Sequence, residues 1–159
     1  MKSNSNIKLQ LTYAEKQRLK LHKIKLSDIC DYAVDEMAII LNVDLERARA
    51  ISALVEFQSI PSVGVKFAED LIFLGYYSIN DLKGKDGAKL TDEFEKLKGC
   101  WIDSCVEDQF RLVVYYANTK DSSKKWWDFT EERKTFRSEN GYPQSRPTKA
   151  WHEELNQTS

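Results

Sequence analysis

The sequence predicts an all-α protein, and three observations carry that prediction. Only six glycines and three prolines occur in 159 residues, 42% of which are hydrophobic, a balance that suits packed helices better than a turn-rich β-sandwich. Apolar residues recur at helical spacing, most clearly from Asp103 onward, where Val106, Phe110, Val113, Val114 and Ala117 share one face. The segment Phe57 to Gly75, FQSIPSVGVKFAEDLIFLG, has the residue order of a tight turn between two short helices.

Each element has its own signal. Thr12-Tyr-Ala-Glu15 is a capping-box pattern that opens a short, basic, mostly solvated helix to about His22, with Leu19 at helical spacing. Residues 26–41 offer Ile29, Ala33, Met37, Ile40 and Leu41 for burial in two short helical segments. Asn42-Val-Asp44 then interrupts, and Asp44 is a good N-cap for a helix from Leu45 to about Phe57 that turns Ala48, Ile51, Leu54 and Val55 inward. Pro61 disfavours helical dihedrals at the residue before it, so this helix stops near Ile60. Gly64 can take positive φ and has no Cβ to block a ligand; just beyond it Ala68, Leu71 and Ile72 share the face of a new helix. Ile60, Val63 and Leu71 plug the hairpin, and Ala68 is small where the helices pass closely. Ser78-Ile-Asn-Asp81 caps a short helical turn, residues 83–87 read as a loop, and Leu90, Phe94 and Leu97 mark a helix that Gly99 ends. After the long helix, residues 118–125 form a polar linker. The tail that follows interleaves Trp126, Trp127, Phe129, Phe136, Tyr142 and Trp151 with Lys125, Arg133, Lys134, Arg137, Arg146 and Lys149.

The turn at Gly64 also has a chemical reading. The first amides of the helix it opens lack intrahelical partners and carry the positive end of the peptide dipoles, and Lys66 adds a full charge within the first turn. Together they make an anion seat. The run I60-P-S-V-G64-V-K-F-A68-E-D-L71 resembles the helix-hairpin-helix motif, written as hydrophobe, any residue, Gly, hydrophobe, Gly, three residues, Ala. Ser62 replaces the first glycine, and if that position needs positive φ, serine carries a steric cost. The resemblance implies nucleic-acid contact at Ser62, Gly64 and Lys66, with the phosphate contacts at Gly64 and Lys66. It also implies a monovalent cation at the carbonyls of Gln58, Ile60 and Val63. A shift of twenty residues aligns Ile40 to Ala48 with Ile60 to Ala68, matching Ile, Val and Ala. This suggests a first, degenerate hairpin of structural use only, because Asp44 and Glu46 stand where the second has Gly64 and Lys66; chance similarity of amphipathic helices is the alternative.

From about Leu26 to Lys125 and on into the tail, the chain looks like the small bacterial pathogenicity-locus family of helix-hairpin-helix proteins, some of which carry the label of mitomycin resistance. The residues that carry this likeness are F57-QSIPSVG-64, A68-EDL-71, L74-GYYSINDLKGKD-86, D103-SCVEDQFRLVVYYA-117, W126-WDFTEERK-134 and G141-YPQSRPTKAW-151. The expected organisation is a basic N-terminal arm and helix (1–25), a helical domain with a tandem helix-hairpin-helix core (26–118), and an aromatic-basic segment packed on it (119–159).

Charge narrows the function. The net charge is −1, so phosphate binding must be local. Residues 1–25 hold seven Lys or Arg against Glu15 alone, whereas residues 26–60 hold two arginines against seven acids. The expected function is therefore sequence-independent DNA binding by the hairpin turn beside a basic terminal segment, single- or double-stranded, with no enzymatic activity. The alternative is a protein-interaction module that uses the same hairpin or the Trp126–Trp127 segment. In the tail, Trp126, Trp127, Arg133, Lys134 and Arg146 are candidates for secondary nucleic-acid or partner contacts. Docking of Trp126, Trp127 and Phe129 back onto the helical body is the more economical use of those rings.

Cys30, Cys100 and Cys105 form no even framework, MKSNSNIKLQ has no hydrophobic secretion core, and no apolar run is long enough to span a bilayer, so a cytoplasmic protein away from membranes is expected. Cys100 and Cys105 with His152 and His22 lack the spacing of a metal site. A helix N-terminus could acidify Cys105, although buried packing explains that thiol as well, and no oxyanion site accompanies a Cys105–His152 pair. A thiol-dependent enzyme is accordingly the most distant reading. Asp103, Glu107 and Asp108 suit a helix N-terminus, and Arg111 suits an ordinary surface ion pair with Glu107.

Overall fold

The computed structural model describes residues 7–153, and among them all regular structure is helical. The α-helices are α1 (Tyr13–Leu21), α2 (Val34–Leu41), α3 (Leu45–Gln58), α4 (Val65–Phe73), α5 (Gly87–Lys98), α6 (Ser104–Thr119) and α7 (Thr130–Asn140), with 3-10 turns at Leu26–Asp31, Ile79–Leu82 and Trp126–Phe129. The first six residues of the basic arm, Lys2 among them, and the last six of the tail lie outside the described residues. Two compact units divide the chain, Met1–Asp81 and Leu82–Ser159, so a boundary falls within the 26–118 segment.

The first unit is organised by its caps. Thr12 accepts the Glu15 amide (3.0 Å) while the Glu15 carboxylate accepts the Thr12 amide (2.8 Å), closing the box that opens α1. Asn42 ends α2 in the left-handed region (φ 58°), and Asp44 caps α3 by accepting the Arg47 amide at 2.7 Å. Leu19, Ile24, Ile29, Met37, Leu41, Ile51 and Val55 form the core, and Ile7, Leu9 and Leu11 pack against it. Burial of each large side chain contributes about 1.5–3 kcal/mol. Helix α1 is mostly solvated, as the sequence predicts, with only Glu15 and Leu19 buried, whereas the segment before it lays Ile7, Leu9 and Leu11 on the core. Arg47 answers the Glu15 charge at 2.9 Å and donates to the Gln10 carbonyl at 2.9 Å, and the guanidinium's hydrogen bond holds the Glu15 carboxyl below its ordinary pKa. Arg18 fastens α1 to α2 through the Ile40 carbonyl (2.7 Å).

In the second unit, α5 and α6 meet at Gly87. A Cβ there would lie 2.8 Å from the Arg111 Cα, so the glycine that the sequence places in a loop is required by a close helix crossing. Asp86 caps α5, Asp103 caps α6, Gly99 ends α5 with φ 75°, and Phe94 packs on Phe110 with ring centroids 5.6 Å apart.

The tail is held by charge. None of the α7 residues is buried. Arg133 pairs with Asp108 at 2.6 Å, and the Thr130 hydroxyl donates to the same carboxylate at 2.8 Å. Arg137 reaches Glu107 and Asp92, both at 2.9 Å, and Arg111 adds a third guanidinium contact at 3.0 Å from Glu107. Glu107 and Asp108 are each only 1% exposed, so the Glu107–Arg111 pair belongs to a buried network rather than to the surface. Farther along, Arg146 grips Glu95 with two hydrogen bonds (2.8 and 3.0 Å), and Glu95 also accepts the Ile102 amide (2.9 Å). The Trp101 amide donates to Lys149 O and the Trp151 amide to Trp101 O, both at 2.8 Å, forming a parallel bridge between Trp101 and Ala150.

Replacing Arg137 with leucine would leave Glu107 and Asp92 short of their shared cation. The expected loss is about 3–5 kcal/mol, the usual cost of breaking a buried ion pair from one side. Urea unfolding followed by tryptophan fluorescence measures it, and an unshifted midpoint would contradict the assignment.

Candidate nucleic-acid interface

The chain between α3 and α4 turns in six residues. Ser59 caps α3, its hydroxyl donating to the Glu56 carbonyl at 2.6 Å, and the Ile60 amide closes on Phe57 O at 3.1 Å. Pro61 follows, as the predicted stop requires. Ser62 then takes φ 64°, and the Val63 amide returns to Ile60 O at 3.1 Å. Ile60, Val63, Ala68 and Leu71 are all buried, so the apolar plug forms as predicted.

Gly64 differs from expectation. Its φ of −99° and ψ of −178° are extended, a conformation open to any residue, and the left-handed position is Ser62. A Cβ on Gly64 would meet nothing within 4 Å. Neither backbone angle nor packing asks for glycine here. Gly64 is the N-cap of α4 but brings no capping side chain, and Lys66 is exposed in the first turn. Ser62, Gly64 and Lys66 therefore stand together around the start of one helix.

The turn twenty residues earlier is a control. Asn42 and Ser62 are both left-handed, Asp44 and Gly64 are both extended N-caps, and Ala48 and Ala68 are both fully buried. The difference lies in the cap. Asp44 turns its own carboxylate onto the Arg47 amide and so occupies the place an external anion would need, whereas Gly64 has no side chain to do the same.

A further residue of this region escaped the sequence argument, which used only its carbonyl. The Gln58 side chain is buried at the end of α3; its Oε1 accepts the Lys8 amide at 2.9 Å, and its Nε2 donates to Lys8 O at 2.8 Å and Leu54 O at 3.2 Å. The basic N-terminal segment is thereby tied to the residue from which the turn departs.

The tail candidates belong to the second unit. Arg133 and Arg146 are engaged with Asp108 and Glu95, and the Arg146 guanidinium also lies 3.6 Å from the centroid of the Tyr142 ring. Lys134 is well exposed, 3.6 Å from Glu131. Phe129 is buried against Tyr115 (5.5 Å between centroids) and Trp126 is half-buried, but Trp127 is 54% exposed. Asp108 and Glu95 were missed as partners for Arg133 and Arg146, as was Glu107 for Arg137. Glu107 gave a readable signal, since it shares the apolar face of α6 with Phe110 and Val114 at i+3 and i+7.

The Cys105 thiol is pushed up to about 11, first by burial and then by its contact with Asp103, so helix-terminal acidification does not prevail. Burial followed by Glu56 and Asp31 raises Cys30 to about 12. His152 packs edge-on near Trp101 and Trp151, at 5.9 and 5.6 Å. Among the described residues no group of three or more His, Cys, Asp or Glu side chains is placed to hold a metal ion, and no helix is long and apolar enough to cross a membrane.

These features define an all-α protein with a helical hairpin whose second helix has glycine as its N-cap. The chain belongs to the pathogenicity-locus family Cdd1, whose model matches residues 50–135, from within α3 to within α7. No curated protein and no solved structure matches it.

Two measurements follow from this geometry. Ser62→Gly removes a left-handed L-residue and should stabilise the protein by about 1 kcal/mol in chemical denaturation; a destabilised variant would refute the strain. At pH 8 roughly one Cys105 thiol in a thousand is ionised. Iodoacetamide should therefore label Cys105 at least about tenfold more slowly in the folded protein than in urea, and equal rates would rule out the raised pKa.

Proposed function

We propose that this protein binds nucleic acid without reading its sequence, by seating a backbone phosphate on the first amides of α4 beside Lys66. The observation that carries the proposal is the glycine at position 64. Nothing in its backbone angles or packing calls for glycine, and a residue with no side chain there puts nothing of its own between the α4 amides and an anion. A contact of this kind positions a phosphate and meets no base edge. The turn is read as the second hairpin of a tandem helix-hairpin-helix core, with the Asn42–Asp44 turn as its degenerate first. A monovalent cation at the carbonyls of Gln58, Ile60 and Val63 belongs to the same reading. So do a non-enzymatic role and a cytoplasmic location.

A second reading has one observation in its favour. Trp127, 54% exposed, is a large ring left at the surface, and it could anchor a protein partner. Salt separates the two, because phosphate contacts weaken steeply with ionic strength and apolar docking does not.

Fluorescence anisotropy with labelled single- and double-stranded DNA, at low and physiological salt, is the test. The wild type should bind in a salt-dependent way, and Gly64→Leu combined with Lys66→Ala should lose most of that affinity while its circular dichroism stays unchanged. Equal affinity in the folded variant would refute the phosphate seat. No binding at low salt would shift the assignment to a protein partner.

A further inference from the structure

We infer that Gln58 is a positioning residue: it fixes the register of the N-terminal segment beside the turn, so that Lys8 supplies a second cation to the same nucleic-acid backbone. This inference rests on the nucleic-acid reading above and extends it from a single turn to a two-part surface within the first unit.

The segment from Ile7 to Leu11 alternates, with Ile7, Leu9 and Leu11 partly buried against the core and Lys8 and Gln10 exposed. Such a segment has a period of two, and a slip of one residue would turn Lys8 inward and expose the leucines. Apolar contact alone fixes which face is buried but still tolerates a slip of two residues. Directed hydrogen bonds do not, and Gln58 makes them to both the amide and the carbonyl of a single residue, Lys8. Arg47 adds a hold at the Gln10 carbonyl. A glutamine whose side chain is buried needs polar partners, and here they include the amide and carbonyl of the arm's Lys8. The consequence is that a lysine is held at the surface next to the residue where α3 gives way to the phosphate-binding turn. Lys8 contributes only backbone atoms to the Gln58 pair, which leaves its ammonium for solvent or a phosphate.

A double-mutant cycle on the full chain tests this with a short labelled DNA duplex over a range of salt. Lys8→Ala should weaken binding severalfold and reduce the log–log salt slope by about 1, the signature of one lost phosphate contact. Gln58→Leu should do the same, and the double variant should be no worse than either single change, because both act through one ammonium. Additive losses would assign Gln58 a merely structural part and overturn the inference. If Gln58→Leu fails to fold, Lys8→Ala decides by itself, since it keeps every backbone hydrogen bond. Unchanged affinity and slope in Lys8→Ala, with binding still lost in the Gly64→Leu and Lys66→Ala variant, would sink the arm while sparing the turn. A wild type that does not bind at low salt would sink both.

Discussion

Three carboxylates in the second unit, Glu95, Glu107 and Asp108, are each about 1% exposed, and much of that unit's arrangement follows from their burial. Removing an ionised carboxylate from water costs several kcal/mol even after the protein relaxes, more than most single side chains return by packing. The cost has to be offset by cations held at hydrogen-bonding distance. Arg133, Arg137 and Arg146 from the tail supply most of them, joined by Arg111 from α6 itself. This is why a helix with no buried residue docks at all, and why the chain returns past Trp101 to form its bridge. Arg137 and Arg146 also stack on Tyr142, at 4.2 and 3.6 Å, which fixes that ring between the two anchoring points in sequence.

The same constraint redistributes the protein's charge. A stretch rich in tryptophan and arginine has the composition of a single-strand binder, but here Arg133, Arg137 and Arg146 answer acids of their own unit. Formal charge in the tail therefore overstates what an external phosphate would encounter. In the first unit the two turns share their backbone but differ in charge at the helix start: Asp44 and Glu46 on one stand where the other has Gly64 and Lys66. If Gly64 were aspartate, α4 could cap itself as α3 does.

Much of the architecture was legible because local chemistry settles it. Thr12, Asp44, Asp103 and Gly99 begin or end helices where their side chains or dihedrals predict. What remained hidden depends on partners distant in sequence. Glycine at 87 reads as flexible until α6 is found against it. Gln58 reads as an ordinary helical residue until the arm, 50 residues earlier, supplies its partner. At residue 62 the motif's missing glycine already pointed to the positive φ that serine adopts, whereas Gly64, which could have taken it, is extended. Acids at a helix N-terminus have a sufficient local explanation, and that concealed the more important one at Glu107 and Asp108.

The charge-held tail also imposes an order of events on folding. An eleven-residue helix such as α7 is marginal in water by itself, so it gains its form only in contact with α5 and α6. During synthesis Glu107 and Asp108 leave the ribosome well before Arg133 and Arg137, and Glu95 some fifty residues before Arg146. Until those arginines emerge, the carboxylates have to stay hydrated, which holds α5 and α6 apart from their final packing. Consolidation of this unit is thus timed by the arrival of its own C-terminal cations, whereas the four helices of the first unit can complete their core without waiting for them.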